Sequence, residues 1–117
     1  YSQKQYGIAA EVFLKFQDRY PNHELAPKAL LLAGISFDNN ADYLAAADAF
    51  NIIQRDYKSE SDLRAQAMYR MGDVYMKAGE NGQAYQIWKK LTWDHPETKW
   101  SKVALGKIQD KVFERME

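Results

Sequence analysis

The sequence contains no cysteine. Thiol catalysis, disulfide bonds and cysteine metal sites are therefore excluded for this chain. It also lacks any run of roughly 20 apolar residues, the length that a helix needs to cross a lipid bilayer. The 16 basic and 16 acidic residues balance to a net charge of zero. Because nucleic-acid-binding domains usually carry a basic surface, this balance argues against a nucleic-acid partner.

Catalytic motifs are missing as well. The sequence has no glycine-rich phosphate-binding loop, no H-E-x-x-H pair and no nucleophile elbow. The two histidines, His23 and His95, are far apart, and no pair of carboxylates lies at metal-ligand spacing from either. We therefore expect no catalytic residue, no metal ion and no cofactor, and a chain that is not an enzyme. His95 is expected to pack at the end of a helix.

What the sequence does contain is a repeat. Three segments carry an alanine, an aromatic residue four positions later and a large apolar residue three positions after that. These triplets are spaced 37 and 38 positions apart and consist of Ala9, Phe13 and Phe16; Ala46, Phe50 and Ile53; and Ala84, Trp88 and Leu91. Spacings of three and four place such residues on one face of a helix. The pattern predicts a single domain, 1–117, of helical repeats.

A second pattern lies between these segments and supplies the other helix of each repeat. Its residues are Ala29, Leu30, Ala33, Gly34 and Phe37 in one copy and Ala67, Met68, Met71, Gly72 and Tyr75 in the next. A glycine inside a helix costs roughly 1 kcal/mol relative to alanine, so its recurrence indicates a packing role. We predict that Gly34 lies close to Ala46 and Gly72 close to Ala84. The aromatic residue after each alanine is expected to fill the space between one hairpin and the next.

Proline, asparagine and glycine mark the ends of the helices. Pro21 and Pro96 each stop a helix of the alanine–aromatic type, and the runs 38–40 and 79–82 indicate tight turns within hairpins. We predict six helices, near 2–20, 23–38, 41–57, 61–78, 81–94 and 98–115. This division gives one helix of a partial repeat (1–21), two complete repeats (22–58 and 59–96) and a C-terminal capping helix (97–117).

This arrangement resembles the tetratricopeptide repeat family, in which antiparallel helix pairs carry a glycine on the first helix and an alanine and an aromatic residue on the second. The resemblance implies an all-α fold, a right-handed superhelical solenoid of antiparallel hairpins that binds other proteins. The chain departs from the family pattern at Lys58, which replaces the terminal proline, and at Gln109, which replaces the glycine.

One stretch resembles a narrower group within that family. The run from Phe13 to Pro21 has the pattern F-x-x-F-x-x-x-Y-P and is followed by an alanine-rich helix from Leu25. It is similar to bacterial periplasmic and outer-membrane tetratricopeptide proteins, such as the coordinator of the Tol–Pal system and the barrel-assembly lipoprotein. The resemblance implies a role in cell-envelope organisation or assembly, with the periplasm favoured over the cytoplasm. Two other functions remain open: a self-associating structural scaffold, and an accessory domain of a larger enzyme.

The family resemblance also implies a binding groove lined by the first helix of each repeat, suited to a partner protein or peptide. Helical spacing directs ten side chains of these helices away from the core, namely Lys28, Leu31, Ile35, Asp38, Asn39, Gln66, Tyr69, Asp73, Met76 and Lys77. The alternative is that they form an ordinary surface. Trp93 lies off the apolar stripe and is a separate candidate for exposed binding, whereas Trp100 is expected to pack beneath the last helix.

The first helix has no partner of the other type before it in the sequence. Ile8, Val12 and Leu14 are apolar residues outside the shared pattern, and each would forgo roughly 1.5–3 kcal/mol if left in water. We expect that a further helix of the full-length protein covers this side, or that the chain self-associates through it. The last helix is expected to be a polar cap because of Lys102, Lys107, Asp110, Lys111 and Glu114.

Overall fold

The computed structural model describes the backbone of residues 3–109 and the side chains of residues 5–109. Every regular element within that range is an α-helix. The helices are α1 (Gln3–Arg19), α2 (Ala26–Asn39), α3 (Tyr43–Asp56), α4 (Ser61–Lys77), α5 (Asn81–Asp94) and α6 (Lys99–Ile108). The predicted all-α fold is confirmed. The predicted extension of the last helix to 115, with Asp110, Lys111 and Glu114, falls outside the described residues.

The turns inside the two hairpins share one backbone form. Ala41 and Gly79 occupy equivalent repeat positions, and both have a left-handed backbone, with φ of 63° and 81°. In each turn the N–H of the following residue bonds to the carbonyl oxygen five positions earlier, at 2.8 Å. This hydrogen bond closes the C-terminal end of α2 and of α4. Two different sequences therefore produce the same hairpin geometry.

The helices form two layers. Each helix packs against the next one along the chain, and in addition α2 contacts α4 and α4 contacts α6. We refer to α2, α4 and α6 as the A helices and to α1, α3 and α5 as the B helices. The A helices lie side by side in one layer, whereas contacts between successive B helices are weaker than these or absent. Every interior helix is therefore covered on more than one side.

Two apolar clusters form the core. The first joins α2, α3 and α4 through residues such as Leu30, Phe50 and Val74, and the second joins α4, α5 and α6 through Met68 and Trp88. Each cluster spans a hairpin and the A helix that follows it. The repeats are thereby joined into one continuous core.

Gly34 of α2 and Gly72 of α4 each lie against an aromatic ring. A Cβ atom added at Gly34 would lie no farther than 2.7 Å from three atoms of Phe50, and one added at Gly72 no farther than 2.5 Å from three atoms of Trp88. Both rings also belong to the clusters that reach the A helix of the next hairpin, as expected. Each ring packs on the glycine of its own hairpin, because the missing Cβ leaves a hollow of matching shape.

A polar ring just after each interior B helix contacts an earlier part of the chain. The Tyr57 hydroxyl, just after α3, donates to the carbonyl oxygen of Pro21 at 2.8 Å and accepts from the Gln17 side chain at 3.2 Å. His95 takes the equivalent place after α5, where it is buried with Nδ1 3.4 Å from the Ser61 hydroxyl. His95 therefore packs at a helix end, as predicted. The Tyr57 contacts join the repeat 22–58 to the segment before it, whereas the His95 contact lies within the repeat 59–96.

No helix within residues 3–109 has the length and apolar character required for a membrane span.

Candidate functional site

A depression on the molecule's A-helix side lies at the N-terminal ends of α2, α4 and α6. Its volume is about 580 Å³, and we call it the A-face groove. Three of the predicted groove residues, Lys28, Leu31 and Gln66, line it. The structure therefore brings together those predicted residues that lie in the first half of each A helix.

At the start of each A helix, one large apolar side chain lines the groove. Leu25, Leu63 and Trp100 all line it, and they occupy equivalent positions in the three repeats. Leu25 precedes the first turn of α2, Leu63 lies in the first turn of α4 and Trp100 in that of α6. Sequence reasoning missed this row, although its signal was present: the three positions are separated by 38 and 37 residues, the spacing of the repeat itself.

Contacts between aromatic rings hold Trp100 in place. The centroid of its ring lies 5.7 Å from that of Tyr69, which in turn stacks on Trp88 at 6.1 Å. The Trp88 indole nitrogen donates to the Tyr69 carbonyl oxygen at 3.0 Å. The Lys99 ammonium lies 4.8 Å from the Trp100 ring centroid, a cation–π distance. Trp100 is thus a rigid wall of the groove that still presents part of its surface to solvent.

Charged side chains of both signs surround these apolar residues. Glu24, Glu60 and Asp62 supply carboxylates, and Lys28 and Lys99 supply ammonium groups. No ion pair joins these charges to one another in the part of the chain that the structure describes. The groove therefore offers an apolar row flanked by free charges, a combination suited to a polypeptide rather than to a small apolar ligand.

The predicted residues in the second half of the A helices form a different feature. The Lys77 ammonium donates to both carboxylate oxygens of Asp38, at 3.0 and 3.1 Å, and lies 3.3 Å from the Asp73 carboxylate. Burial lowers the pKa of Lys77, but the hydrogen bond to Asp38 and the charges of Asp73 and Asp38 outweigh it, so the pKa is raised. Asp38, Asp73 and Lys77 thus link α2 to α4 and pair with one another.

Two predicted groove residues lie closer to the core than expected. Leu31 is only 7% exposed and belongs to the first cluster, so the prediction that it points away from the core was wrong. Tyr69 is half-buried between α5 and α6 rather than free. The physical reason is that an A helix packs against its own B helix and against the next A helix. Its buried surface is therefore wider than the single stripe used for the prediction.

The remaining predicted groove residues are divided between the core edge and the surface. Ile35 packs on the first cluster and Met76 on the second, both half-buried. Asn39 is exposed at the end of α2. Trp93, on α5, is 85% exposed and does not line the A-face groove. The structure therefore separates Trp93 from the predicted groove.

The two ends of the chain also differ from an interior repeat. Ile8 and Val12 of α1 are exposed as expected, whereas Leu14 packs against the first cluster, so its expected exposure was wrong. Leu14 faces α2 because it lies on the opposite side of α1 from Val12. On α6, Lys102 and Lys107 are exposed, but so are Val103 and Leu105, so this helix is less polar than the expected cap.

Among residues 5–109, no group of three or more histidine, aspartate or glutamate side chains is arranged to hold a metal ion. Comparison with curated proteins gives no match. Residues 66–98 match the family model of the tetratricopeptide repeat, a span that runs from within α4 through α5 to the residue before α6. Tetratricopeptide repeats generally mediate protein–protein interactions and are typically not enzymes. The α4–α5 hairpin is therefore similar to a tetratricopeptide repeat, and the chain has a tetratricopeptide-like all-α fold.

Proposed function

We propose that this protein binds an extended segment of a partner protein in the A-face groove. The observation that carries the proposal is the row formed by Leu25, Leu63 and Trp100, one apolar side chain at the start of each A helix and at the same repeat position. A partner segment that crosses the three helices would meet these side chains one after another. The match of residues 66–98 to an interaction repeat supports a protein partner.

The spacing of the row defines the kind of segment that fits. Neighbouring helices pack about 8–10 Å apart, and an extended chain in the polyproline II conformation rises about 3.1 Å per residue with three residues per turn. Apolar side chains at every third residue of the partner would therefore align with successive members of the row. Between them, residues of both charges would face Glu60, Asp62 and Lys99. The proposed ligand is thus an extended, mixed-charge segment with an apolar residue at every third position.

The packing of the two layers supports binding on this side. Contacts between successive A helices exceed those between successive B helices, so the hairpins converge on the A side. Such convergence makes the A-helix layer the inner, concave surface of a stack of hairpins. A concave surface surrounds an extended ligand on more sides than a flat one does.

The cellular setting that we propose is the bacterial cell envelope. The support is the similarity of the run from Phe13 to Pro21 to periplasmic and outer-membrane tetratricopeptide proteins. Fractionation of cells that express the full-length protein, with detection by antibody, tests this part independently. Recovery in the cytoplasmic fraction alone would contradict it and leave the groove proposal standing.

Selection from a random peptide library tests the groove directly. The chain is immobilised, and selected peptides are then measured against Leu63→Gln and, as a matched control, against Leu44→Gln. Leu44 is exposed at the start of α3 and does not line the groove. We expect selected peptides to carry apolar residues at every third position and to lose about tenfold or more in affinity for Leu63→Gln.

Thermal denaturation of both variants verifies that they remain folded. Equal affinity for Leu63→Gln and the unchanged chain would contradict the groove as the binding site. Selected peptides without an apolar residue at every third position would contradict the proposed ligand.

A further inference from the structure

The B helix α1 has an apolar side that no described helix covers. Val12 is 58% exposed, and Phe13 and Phe16 are only half-buried. At the equivalent positions of α3, Ala49, Phe50 and Ile53 are at most 2% exposed. The same repeat positions are therefore enclosed in one B helix and open in another.

An apolar depression marks the open side. It has a volume of about 300 Å³ and lies between α1 and α2. Lys28 is the polar residue among its lining side chains; the others are Val12, Phe13, Phe16, Leu25, Ala29 and Leu32. We call it the α1–α2 groove. It adjoins the A-face groove, with which it shares Leu25 and Lys28, but Val12, Phe13 and Phe16 line only the α1–α2 groove.

At two other places in the chain, the equivalent groove between a B helix and the next A helix is filled by the preceding A helix. Between α3 and α4 lies the A helix α2, with Leu30 and Leu31 in the first cluster. Between α5 and α6 lies the A helix α4, with Met68 in the second cluster and Tyr69 packed against it. In both cases the covering helix has two consecutive large apolar residues and a glycine three positions after the second.

The glycine is the selective element of this arrangement. The Phe50 ring packs on Gly34 and the Trp88 ring packs on Gly72, and neither contact leaves space for a Cβ atom on the glycine. Phe13 is the equivalent ring on α1. A helix that covers α1 in the same way must carry glycine opposite Phe13.

We propose that the α1–α2 groove binds an amphipathic helix of the A type, with two large apolar residues followed three positions later by a glycine. A second copy of this chain fits less well. Its α6 offers the exposed apolar residues Val103 and Leu105, but Gln109, just after α6, takes the repeat position that glycine has in α2 and α4. If α6 of a second copy covered α1, the Gln109 side chain would clash with the Phe13 ring, just as a Cβ atom added at Gly34 would clash with the Phe50 ring.

Binding of a synthetic peptide tests the proposal. The probe is a fluorescently labelled peptide of residues 59–79, which contains Met68, Tyr69 and Gly72 and several charged residues that aid solubility. The control peptide carries Gly72→Leu, which keeps the apolar face and raises helix propensity, so weaker binding is not due to loss of helix. We expect saturable binding of the first peptide to the 117-residue chain and about tenfold or more weaker binding of the control.

Protein variants locate the binding. Val12→Asp places a charge in the groove at an exposed position, and Leu44→Asp places the same charge at a comparably exposed position on α3. We expect Val12→Asp to weaken peptide binding about tenfold or more and Leu44→Asp to leave it unchanged. Absence of saturable binding, or equal binding of the Gly72→Leu peptide, would overturn the proposal. Sedimentation that shows a dimer dissociated by Val12→Asp would overturn it in favour of a second copy.

Discussion

Replacement of Gly34 by alanine tests the contact that joins the two helices of a hairpin. The new Cβ atom would lie no farther than 2.7 Å from three atoms of the Phe50 ring. Favourable contacts between carbon atoms lie at about 3.5–4.0 Å, so either the Phe50 ring or the helix α2 must shift. Overpacking lowers the free energy of unfolding by about 1–3 kcal/mol, whereas replacing a helical glycine by alanine raises it by about 1 kcal/mol. Because Phe50 is a buried ring, we expect a net loss of stability of up to about 2 kcal/mol.

Urea denaturation measures this change, and two further variants isolate its cause. Gly106 lies in α6 with no atom within 4 Å of an added Cβ. Gly106→Ala should therefore stabilise the protein by up to about 1 kcal/mol. When Phe50→Leu removes the ring, Gly34→Ala should cost less than it does in the unchanged chain. If Gly34→Ala instead stabilises the protein as Gly106→Ala does, the glycine–ring contact and the reasoning built on it are refuted.

Three further changes test other parts of the fold by the same denaturation assay. Ala41→Gly should stabilise the protein by about 1 kcal/mol, because alanine is strained at the left-handed φ of 63°; no gain would contradict this strain. Leu31→Ala should destabilise the protein by about 2–5 kcal/mol, because Leu31 is a core residue; an unchanged stability would contradict that assignment. Lys77→Met should cost at most about 1 kcal/mol. The pKa of Lys77 is raised in the folded state. The difference in stability between Lys77→Met and the unchanged chain should therefore be present below the ordinary lysine pKa and disappear as the pH rises through the raised value. A stability difference that persists above the raised pKa would contradict an electrostatic origin.

The repeat spacing was sufficient to predict the helices and their pairing. A helix that buries one face must place apolar residues three and four positions apart, and the intervals between such patterns contain the turns. The predicted helix 81–94 coincides with α5, and the predicted helix 41–57 exceeds α3 by a few residues. Helix ends are the least certain part because capping contacts extend one or two residues beyond the apolar pattern.

The candidate site was less predictable because it depends on contacts between repeats. Leu31 was assigned to the surface since it lies off the stripe that faces α3, yet α4 covers it from the other side. Trp100 packs against the second cluster as expected, but its ring also forms a wall of the groove, which the sequence pattern did not indicate. A helical pattern reports how many faces are apolar and not which neighbour covers each one.

Nuclear magnetic resonance of the three tryptophan indole groups tests binding in the A-face groove most directly. Trp100 lines the groove, Trp88 is buried, and Trp93 is exposed on α5 outside it. We predict that titration with a library-selected peptide shifts the Trp100 indole signal and leaves the Trp93 signal in place. A shift of Trp93 with Trp100 unchanged would contradict binding in the groove.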